Sequence, residues 1–368
     1  MKALLFQIIG RKSVFFLFIL FMFIAKAQDS FIDQQCIADM ISKINKEVED
    51  KYIYDFKQTK FVPPPGKTLL IMGQTVERIN EYLSAFPDEE LPGGWSAYWG
   101  ITEDSGIDNN HKNKTGSSQN HQMLVDKFPN AVIHSAMWMV GKWNIVNKVH
   151  QGHYDHVLKK YAKWAKSVNR PVYLRIGYEF DGIHNEMNPY DYVKSYTYIV
   201  DFFRKKKVNN IAYVWHSYAA KPYKNYNLSK WYPGDDYVDW VAISVFSHAY
   251  NSDFGIYCED VLSFAKRHQK PVMIAESNPM NGILKDSEDV WQDWFVNFFS
   301  FIYKKNIKAV SFINEDWPQL SIEGIGEWKD ARLYNNELVS RAWFEETGKE
   351  KYLKQSENLY EVLGYLSD

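Results

Sequence analysis

Two apolar stretches of the chain each end on a glutamate. The stretch PVYLRIGYEF, residues 171–180, begins like a buried strand and then places Glu179 between two aromatic residues. The stretch KPVMIAES, residues 270–277, ends in the same way on Glu276. A strand that simply meets water is the plainer explanation of either glutamate. Two opposed carboxyl groups, however, are the minimum equipment for glycoside hydrolysis, in which one protonates the leaving oxygen and the other attacks the anomeric carbon or activates water.

The strands and helices predicted around these glutamates recur in a regular series. Residues 154–168 and 189–207 have the period of amphipathic helices, and such patterns alternate with apolar runs typical of strands. Alternating strands and helices predict parallel βαβ units, and eight units predict an α/β fold of the (β/α)₈ (TIM) barrel type. The alternative is an open doubly wound sheet, but no glycine-rich phosphate loop follows the first strand. The eight apolar runs begin at Lys67, Gly93, Asn130, Arg170, Asn210, Tyr237, Lys270 and Ile307.

The predicted barrel places both glutamates where an active site would form. Active sites of such barrels lie at the carboxyl ends of the strands. Glu179 ends the fourth predicted strand and Glu276 the seventh, and strands four and seven face each other across the barrel. Acids near other strands, such as Glu315 and Asp316, are interpreted as loop or supporting residues. The polar stretch 101–120 is predicted to be a long loop.

The N-terminus has the pattern of a secretory signal peptide. Residues 1–27 combine Lys2, Arg11 and Lys12, a short apolar run, and a small-residue cleavage site at Ala25-Lys26-Ala27. An uncleaved anchor is the alternative. We therefore expect a secreted or periplasmic protein with a helical arm over 28–62 and a single catalytic barrel domain over 63–368.

Composition excludes several classes of protein. The chain has a formal net charge of −2, and its first 27 residues are basic, so the remainder is mildly acidic and unsuited to nucleic acid. The two cysteines, Cys36 and Cys258, allow one disulfide after export. No metal-binding spacing such as HExxH occurs, so we expect neither metal nor cofactor. Aromatic residues make up 17% of the chain, which suits either a large core or stacking against sugar rings.

Several segments resemble one known family. RIGYEF resembles a strand-four segment in which an arginine, here Arg175, precedes the acid glutamate by four residues. WYPGDDYVDWVAIS resembles the approach to strand six, and KPVMIAES resembles the nucleophile strand. From about Gln151 to Trp317 the chain resembles glycoside hydrolase family 26. The resemblance implies a retaining endo-β-glycanase acting on β-mannan or β-1,3-xylan, with Glu179 as acid/base and Glu276 as nucleophile.

Two positions depart from the family pattern. Tyr178 stands where a histidine usually precedes the acid glutamate, and Phe246 stands where a strand-six tyrosine usually donates a hydrogen bond to the nucleophile. Another hydroxyl or imidazole must then serve Glu276, or that support is missing; His248, Tyr250 and Tyr218 are the candidates. The departures motivate an alternative in which the chain is a catalytically impaired carbohydrate-binding relative.

Further residues are candidates for binding substrate. Arg175 shares strand parity with Glu179 and either orients a carboxylate or forms a structural ion pair. The other candidates are placed near strand ends, and each has core packing or a structural role as its alternative. They are Trp317, Tyr178, Trp215, His216, Phe246 and Trp138, with Trp99 as a further sugar platform. The expected partner is a polysaccharide or oligosaccharide, bound by a monomer with no membrane attachment after cleavage.

Overall fold

The structure is a computed structural model that describes residues 34–44, 47–102, 105–113, 115–140, 144–220, 226–247, 252–285, 289–320, 322 and 328–366. The predicted signal peptide, together with His248 and Tyr250, lies outside these residues. The chain divides into two compact units, Met1–Ile44 and Asn45–Asp368. In the first unit, residues 34–42 form a helix. The second unit contains everything that follows, and the boundaries expected after residues 27 and 62 stay predictions.

Eight parallel strands form a closed barrel, which confirms the predicted fold. Each strand pairs with the next in sequence, and the last pairs with the first, so the sheet has no open edge. The open doubly wound alternative is thereby excluded. The strands are β1 (Thr68–Gly73), β2 (Gly94–Gly100), β3 (Val132–Trp138), β4 (Val172–Ile176), β5 (Ile211–Ser217), β6 (Trp240–Val245), β7 (Val272–Ser277) and β8 (Ala309–Ile313).

Helices follow the strands and cover the outside of the barrel. The two helices predicted from periodicity are α4 (Asp155–Val168) and α5 (Pro189–Lys205), and the ends of both lie within two residues of the expected bounds. Helix α5 begins where it does because Asn188 accepts a hydrogen bond from the Asp191 amide and Pro189 occupies the first turn. The helices are α1 (Val76–Ala85), α2 (His121–Lys127), α3 (Ile145–His150), α4 (Asp155–Val168), α5 (Pro189–Lys205), α6 (Ser252–Arg267), α7 (Val296–Lys304) and α8 (Glu337–Thr347).

The stretch 101–120 is more ordered than the predicted loop. Its two short strands, His111–Lys112 and Ser118–Gln119, pair as an antiparallel hairpin. The Asn113 side chain accepts hydrogen bonds from the backbone amides of Thr115 and Ser117, which closes the turn between them. Such a local turn is invisible to a search for apolar periodicity, because the residues that form it are polar.

Alternate residues of each strand face the barrel interior, which changes character along the barrel axis. The lower part, at the amino ends of the strands, is an apolar cluster that includes Leu69, Tyr173, Trp240 and Met273. At the carboxyl ends the inward residues are polar. We call the carboxyl end the mouth and the amino end the floor.

The floor is closed by one segment that precedes β1 in the sequence and by another that follows α8. Phe61 packs into the apolar cluster, and its carbonyl accepts a hydrogen bond from the Tyr173 hydroxyl at 2.6 Å. Residues 57–61, which the sequence assigns to the arm, thus form part of the floor. After α8, the strand β9 (Tyr352–Leu353) pairs with β1, and helix α9 (Leu359–Val362) places Leu359 in the same cluster.

Both cysteines are free thiols in the structure, and the Cys258 side chain is buried. Among the helices that the structure describes, none is long and apolar enough to span a membrane.

Candidate active site

Glu276 faces the barrel interior because the sheet contains an irregularity. Met273 and Ala275 of β7 lie in the interior cluster, so strict alternation would turn Glu276 outward. The register between β6 and β7 shifts after Ile243, and Ser244 pairs with Glu276. A bulge of this kind re-aims a side chain, and here it turns the Glu276 carboxyl inward at the mouth.

Glu179 reaches the mouth through a turn. Strand β4 ends at Ile176, and the next residues, Gly177 and Glu179, have φ of +57° and +51°. The turn is held by the Phe180 amide, which donates to the His216 carbonyl at 3.1 Å. Strand parity does not govern the direction of Glu179, since the chain leaves β4 before reaching this residue. The turn nevertheless brings the carboxyl to the same site.

Glu276 contacts two donors that come from different strands. The Tyr98 hydroxyl, from β2, donates to Oε1 at 2.6 Å, and Arg175 Nη1, from β4, donates to the same oxygen. Arg175 is fully buried, and its guanidinium carbon lies 4.9 Å from the centre of the Tyr98 ring and 5.4 Å from that of Tyr178. The arginine thus lies between two aromatic rings and forms a buried ion pair with Glu276, and its role in orienting the carboxylate stays a prediction.

Glu179 contacts a different pair of groups. The Ser244 hydroxyl donates to Oε1, and His184 Nε2 lies 2.9 Å from Oε2. Behind the serine, His216 Nε2 lies 3.0 Å from Ser244 Oγ, so a neutral His216 donates to Ser244 and Ser244 donates to Glu179. Burial and the charge of Arg175 hold the pKa of His216 well below its usual value, which keeps the imidazole neutral.

One residue brings the two acids together. The Ser244 side chain contacts Glu179, and its backbone is paired with that of Glu276. Both acids therefore meet at Ser244, Glu179 through the serine side chain and Glu276 through the pairing of neighbouring strands. Each acid is buried, with 5% and 6% of its surface exposed for Glu179 and Glu276.

The electrostatics of the pair are unequal. Burial and the charge of Glu179 raise the pKa of Glu276, while Arg175 and the Tyr98 hydroxyl lower it. On balance the pKa of Glu276 lies above its usual value. Among the described side chains only Glu276, of the two acids, contacts a guanidinium, so Arg175 favours the charged form that a nucleophile requires.

Some of the aromatic candidates lie near the mouth, and others lie between the sheet and its surrounding helices. Tyr178 packs edge-to-face on Tyr98 at 5.3 Å beside the acids, and Trp138 ends β3 with 45% of its surface exposed. Trp317 follows β8 and lies in a cluster with Phe246, where it is 6% exposed. Their roles in binding sugar stay predictions, although Trp138 offers the more accessible face.

Two tryptophans proposed from the sequence do not reach the mouth. Trp215 stacks on Phe180 and its indole nitrogen donates to the Trp231 carbonyl at 3.0 Å. Trp99 stacks on Tyr161 of α4. Both residues lie between the sheet and its helices, because inward-facing neighbours such as His216 and Tyr98 take the opposite parity.

Sequence reasoning missed three residues that contact the acids: Tyr98, Ser244 and His184. The strand-six tyrosine expected near Phe246 is replaced by Tyr98 from β2, so a donor does serve Glu276. Strand parity alone could have flagged Tyr98 and Ser244 as inward-facing, but not their partners. Among the described side chains, no group of three or more His, Cys, Asp or Glu is arranged to hold a metal ion.

Comparison with known proteins places this site in a family. The chain is 29% identical over 335 residues to a β-1,3-xylanase from Alcaligenes sp., covering 84% of this chain and 69% of the relative. It is also 29% identical over 332 residues to a β-1,3-xylanase from Vibrio sp., covering 83% and 70%.

Solved structures share the fold. A family 26 β-mannanase from Bacteroides ovatus aligns with a TM-score of 0.55 and 17% identity, covering 80% of this chain and 93% of that structure. A Cellulomonas fimi endo-β-1,4-mannanase double mutant aligns with a TM-score of 0.57 and 12% identity, covering 86% and 78%. The model of the family described as glycosyl hydrolase family 26 matches residues 142–327, half of the chain. The chain therefore belongs to glycosyl hydrolase family 26, and the protein is a glycoside hydrolase.

Proposed function

We propose that the protein is a secreted or periplasmic endo-β-1,3-xylanase that retains anomeric configuration. The observation that carries this proposal is the pair of buried carboxyls with unequal partners. Arg175 favours the charged form of Glu276, whereas Glu179 contacts no arginine or lysine among the described side chains. Export rests on the sequence pattern of residues 1–27.

The mechanism has two displacements. In the first, Glu276 attacks the anomeric carbon, the glycosidic bond breaks, and Glu179 gives its proton to the leaving oxygen. In the second, water attacks the same carbon, Glu179 takes the proton from water, and Glu276 leaves as a carboxylate. Two inversions at one carbon give net retention.

β-1,3-Xylan is a better choice of substrate than β-mannan. The relatives that align over more than four-fifths of the chain at 29% identity are both β-1,3-xylanases. The mannanase structures are only 12–17% identical, so they support the fold and carry no information on the substrate.

The impaired-relative alternative loses its motive at the nucleophile. One of its two motives was the missing hydroxyl at Phe246, and Tyr98 supplies a hydroxyl to Glu276 instead. The other, Tyr178 in place of the family's histidine, is unaffected by this contact. A binding protein without turnover is kept as an outcome of the experiment below.

The test is an assay of released reducing sugar on β-1,3-xylan, β-1,4-mannan, β-1,4-xylan and mixed-linkage glucan. The enzyme is taken from the secreted and periplasmic fractions of a culture expressing the full chain. We expect hydrolysis of β-1,3-xylan with β-configured first products by NMR. Glu276→Gln should abolish turnover, and Glu179→Ala should recover activity on aryl glycosides when azide is added, because azide attacks the intermediate from the emptied side.

Several outcomes would contradict the proposal. Preferred hydrolysis of mannan would refute the substrate. α-Configured first products would refute retention. Retained binding with no sugar released from any polymer would identify a binding protein. Activity confined to the cytoplasm would refute export.

A further inference from the structure

Both donors that contact Glu276 use the same oxygen. The Tyr98 hydroxyl and Arg175 Nη1 each donate to Oε1, and within the described part of the chain no hydrogen bond reaches Oε2. Resting on the function proposed above, we propose that Tyr98 is a positioning residue that fixes one oxygen of Glu276 and leaves the other to attack the anomeric carbon.

The tyrosine can hold this position throughout the reaction because it keeps its proton. Burial raises the pKa of Tyr98 well above its usual value, so the hydroxyl remains a donor. Burial disfavours the charge of Arg175, but Tyr98 and Glu276 outweigh it and raise the arginine pKa. Neither group exchanges a proton with substrate. They hold the carboxylate still, and they stabilise the charge it regains when the intermediate is hydrolysed.

Tyr98 also contributes through its ring. The ring lies against the Arg175 guanidinium, which Tyr178 covers from another side, and Ser96 Oγ lies 3.4 Å from Arg175 Nη2. Ser96 and Tyr98 are alternate residues of β2, so one inward face of that strand supports both the arginine and the carboxylate.

The position of Phe246 explains why β2 supplies the hydroxyl. Phe246 is 2% exposed and packs against Trp328 with ring centres 4.6 Å apart, in the cluster that contains Trp317. Its side chain is thus committed to the apolar wall next to β8. A hydroxyl from the opposite side of the barrel interior takes its place at the nucleophile.

The bonds of the two steps follow from this assignment. In the first step the free oxygen of Glu276 forms a bond to the anomeric carbon, the bond from that carbon to the leaving oxygen breaks, and the Glu179 proton moves to the leaving oxygen. The held oxygen becomes the carbonyl oxygen of the glycosyl ester and still accepts from Tyr98 and Arg175. In the second step the water oxygen bonds to the anomeric carbon, and the bond from that carbon to the Glu276 oxygen breaks. Glu179 receives the proton from the water.

The experiment compares Tyr98→Phe with Tyr173→Phe. Each change removes one hydroxyl from an inward-facing tyrosine and keeps the ring, but the Tyr173 hydroxyl contacts the Phe61 carbonyl at the floor. We expect Tyr98→Phe to lower kcat on β-1,3-xylo-oligosaccharides roughly 10- to 100-fold with little change in KM, as the loss of a hydrogen bond to a charged group predicts. Tyr173→Phe should stay within about threefold of wild type, because its hydroxyl is remote from the reacting atoms.

A second readout does not depend on turnover. In protein labelled with [¹³C]glutamate, titration by NMR should show the pKa of Glu276 rising in Tyr98→Phe, because a donor to the carboxylate has been lost, and staying unchanged in Tyr173→Phe. A crystal structure of the enzyme trapped with a 2-fluoro-xyloside should show the new bond on the oxygen that does not contact Tyr98.

The outcomes separate this inference from the proposed function. A Tyr98→Phe enzyme with wild-type kcat, an unshifted Glu276 titration, or a trapped sugar on the oxygen that contacts Tyr98 would each overturn the inference. If the wild-type protein cleaves no polymer, the proposed function fails, and the NMR titration alone decides whether Tyr98 holds Glu276.

Discussion

At the residue scale, the two acids differ in whether their partners can titrate. Burial raises the pKa of Tyr98, and Tyr98 and Glu276 outweigh burial and raise that of Arg175, so both donors to Glu276 stay protonated at the pH at which an imidazole titrates. Glu179 instead contacts His184, an imidazole whose side chain is 48% exposed, on the short turn that follows the acid. The environment of the acid/base therefore changes with pH over a range in which that of the nucleophile does not.

The His184 contact predicts a pH-dependent contribution to stability. Burial lowers the pKa of His184, but the hydrogen bond that His184 donates to Glu179 and the charges of Glu179, Glu276 and Asp181 outweigh it, so the pKa lies above its usual value. The Tyr218 ring, which packs edge-to-face at 5.2 Å, is uncharged and leaves this sign unaltered. The stabilisation is complete below the unfolded pKa of about 6.5 and is lost as pH rises through the higher folded value.

We therefore expect His184→Gln, which keeps an amide donor but cannot titrate, to lower the free energy of unfolding at about pH 5–6.5 by less than about 1 kcal/mol, because the ring is half-exposed. The difference from wild type should vanish by about pH 9. Urea unfolding at a series of pH values measures it. A difference that grows with pH would contradict the ion pair with Glu179.

At the element scale, both acids depend on departures from regular strands. Glu276 needs the register shift between β6 and β7, and Glu179 needs the left-handed turn after β4. Regular alternation would have aimed Glu276 outward. The site thus forms at a register shift and at a left-handed turn, and the regular strands of the barrel hold both in place.

Gly177 tests the turn after β4. A Cβ at this residue would lie 2.5 Å from the end of the Met139 side chain and 3.1 Å from the Tyr192 ring, at φ +57°. Gly177→Ala should cost about 1–2 kcal/mol of stability for the left-handed backbone alone and, by moving Glu179, should lower kcat/KM about tenfold or more.

The control for Gly177 is Gly66→Ala, where φ is +77° and no atom lies within 4 Å of the added Cβ. That change should carry a similar backbone cost with unaltered kcat/KM. Thermal unfolding and kinetics on the same preparations give both quantities. Equal kcat/KM in the two variants would mean that the turn does not position Glu179.

The same elements show what a sequence can and cannot predict. The eight strands were predictable because apolar runs alternate with helical patterns, and Glu179 and Glu276 were visible as carboxyls at the ends of such runs. Trp215 and His216 are adjacent in β5, so their side chains face opposite sides of the sheet, and the sequence could have shown that both cannot point into the barrel. Tyr98 could not have been linked to Glu276, because the contact joins residues 178 positions apart and depends on a bulge that has no signature in the sequence.

At the scale of the whole molecule, the catalytic acids and the segments that close the barrel lie at opposite ends of it. The mouth holds the acids, and the floor is sealed by residues 57–61 on one side and by β9 and α9 on the other. Buried lysines secure this seal by binding backbone carbonyls. Lys270 Nζ donates to the carbonyls of Lys57, Gln58 and Asp235 at 3.1, 3.0 and 2.9 Å.

Lys270→Met should therefore destabilise the fold without altering the chemistry. Three carbonyls would lose their donor in a buried place, and we expect a loss of about 2–4 kcal/mol in the free energy of unfolding. Lys159→Met, on the exposed surface of α4, is the matched control and should have little effect. Urea unfolding measures the loss, and kcat per folded molecule should equal that of wild type in both variants. A catalytic defect in Lys270→Met would show that floor and mouth are coupled.

The sealed floor also determines the orientation of the enzyme when a solid support or a fused module is linked after Tyr365. The last described turn of the chain is held there, with the Tyr365 ring 5.6 Å from that of Phe61 and its hydroxyl bonded to Asn169. A solid support or a fused module linked beyond Tyr365 would therefore be anchored at the end of the barrel opposite the acids. The mouth would then face outward, so that an immobilised enzyme keeps its open side towards insoluble fibres of polysaccharide.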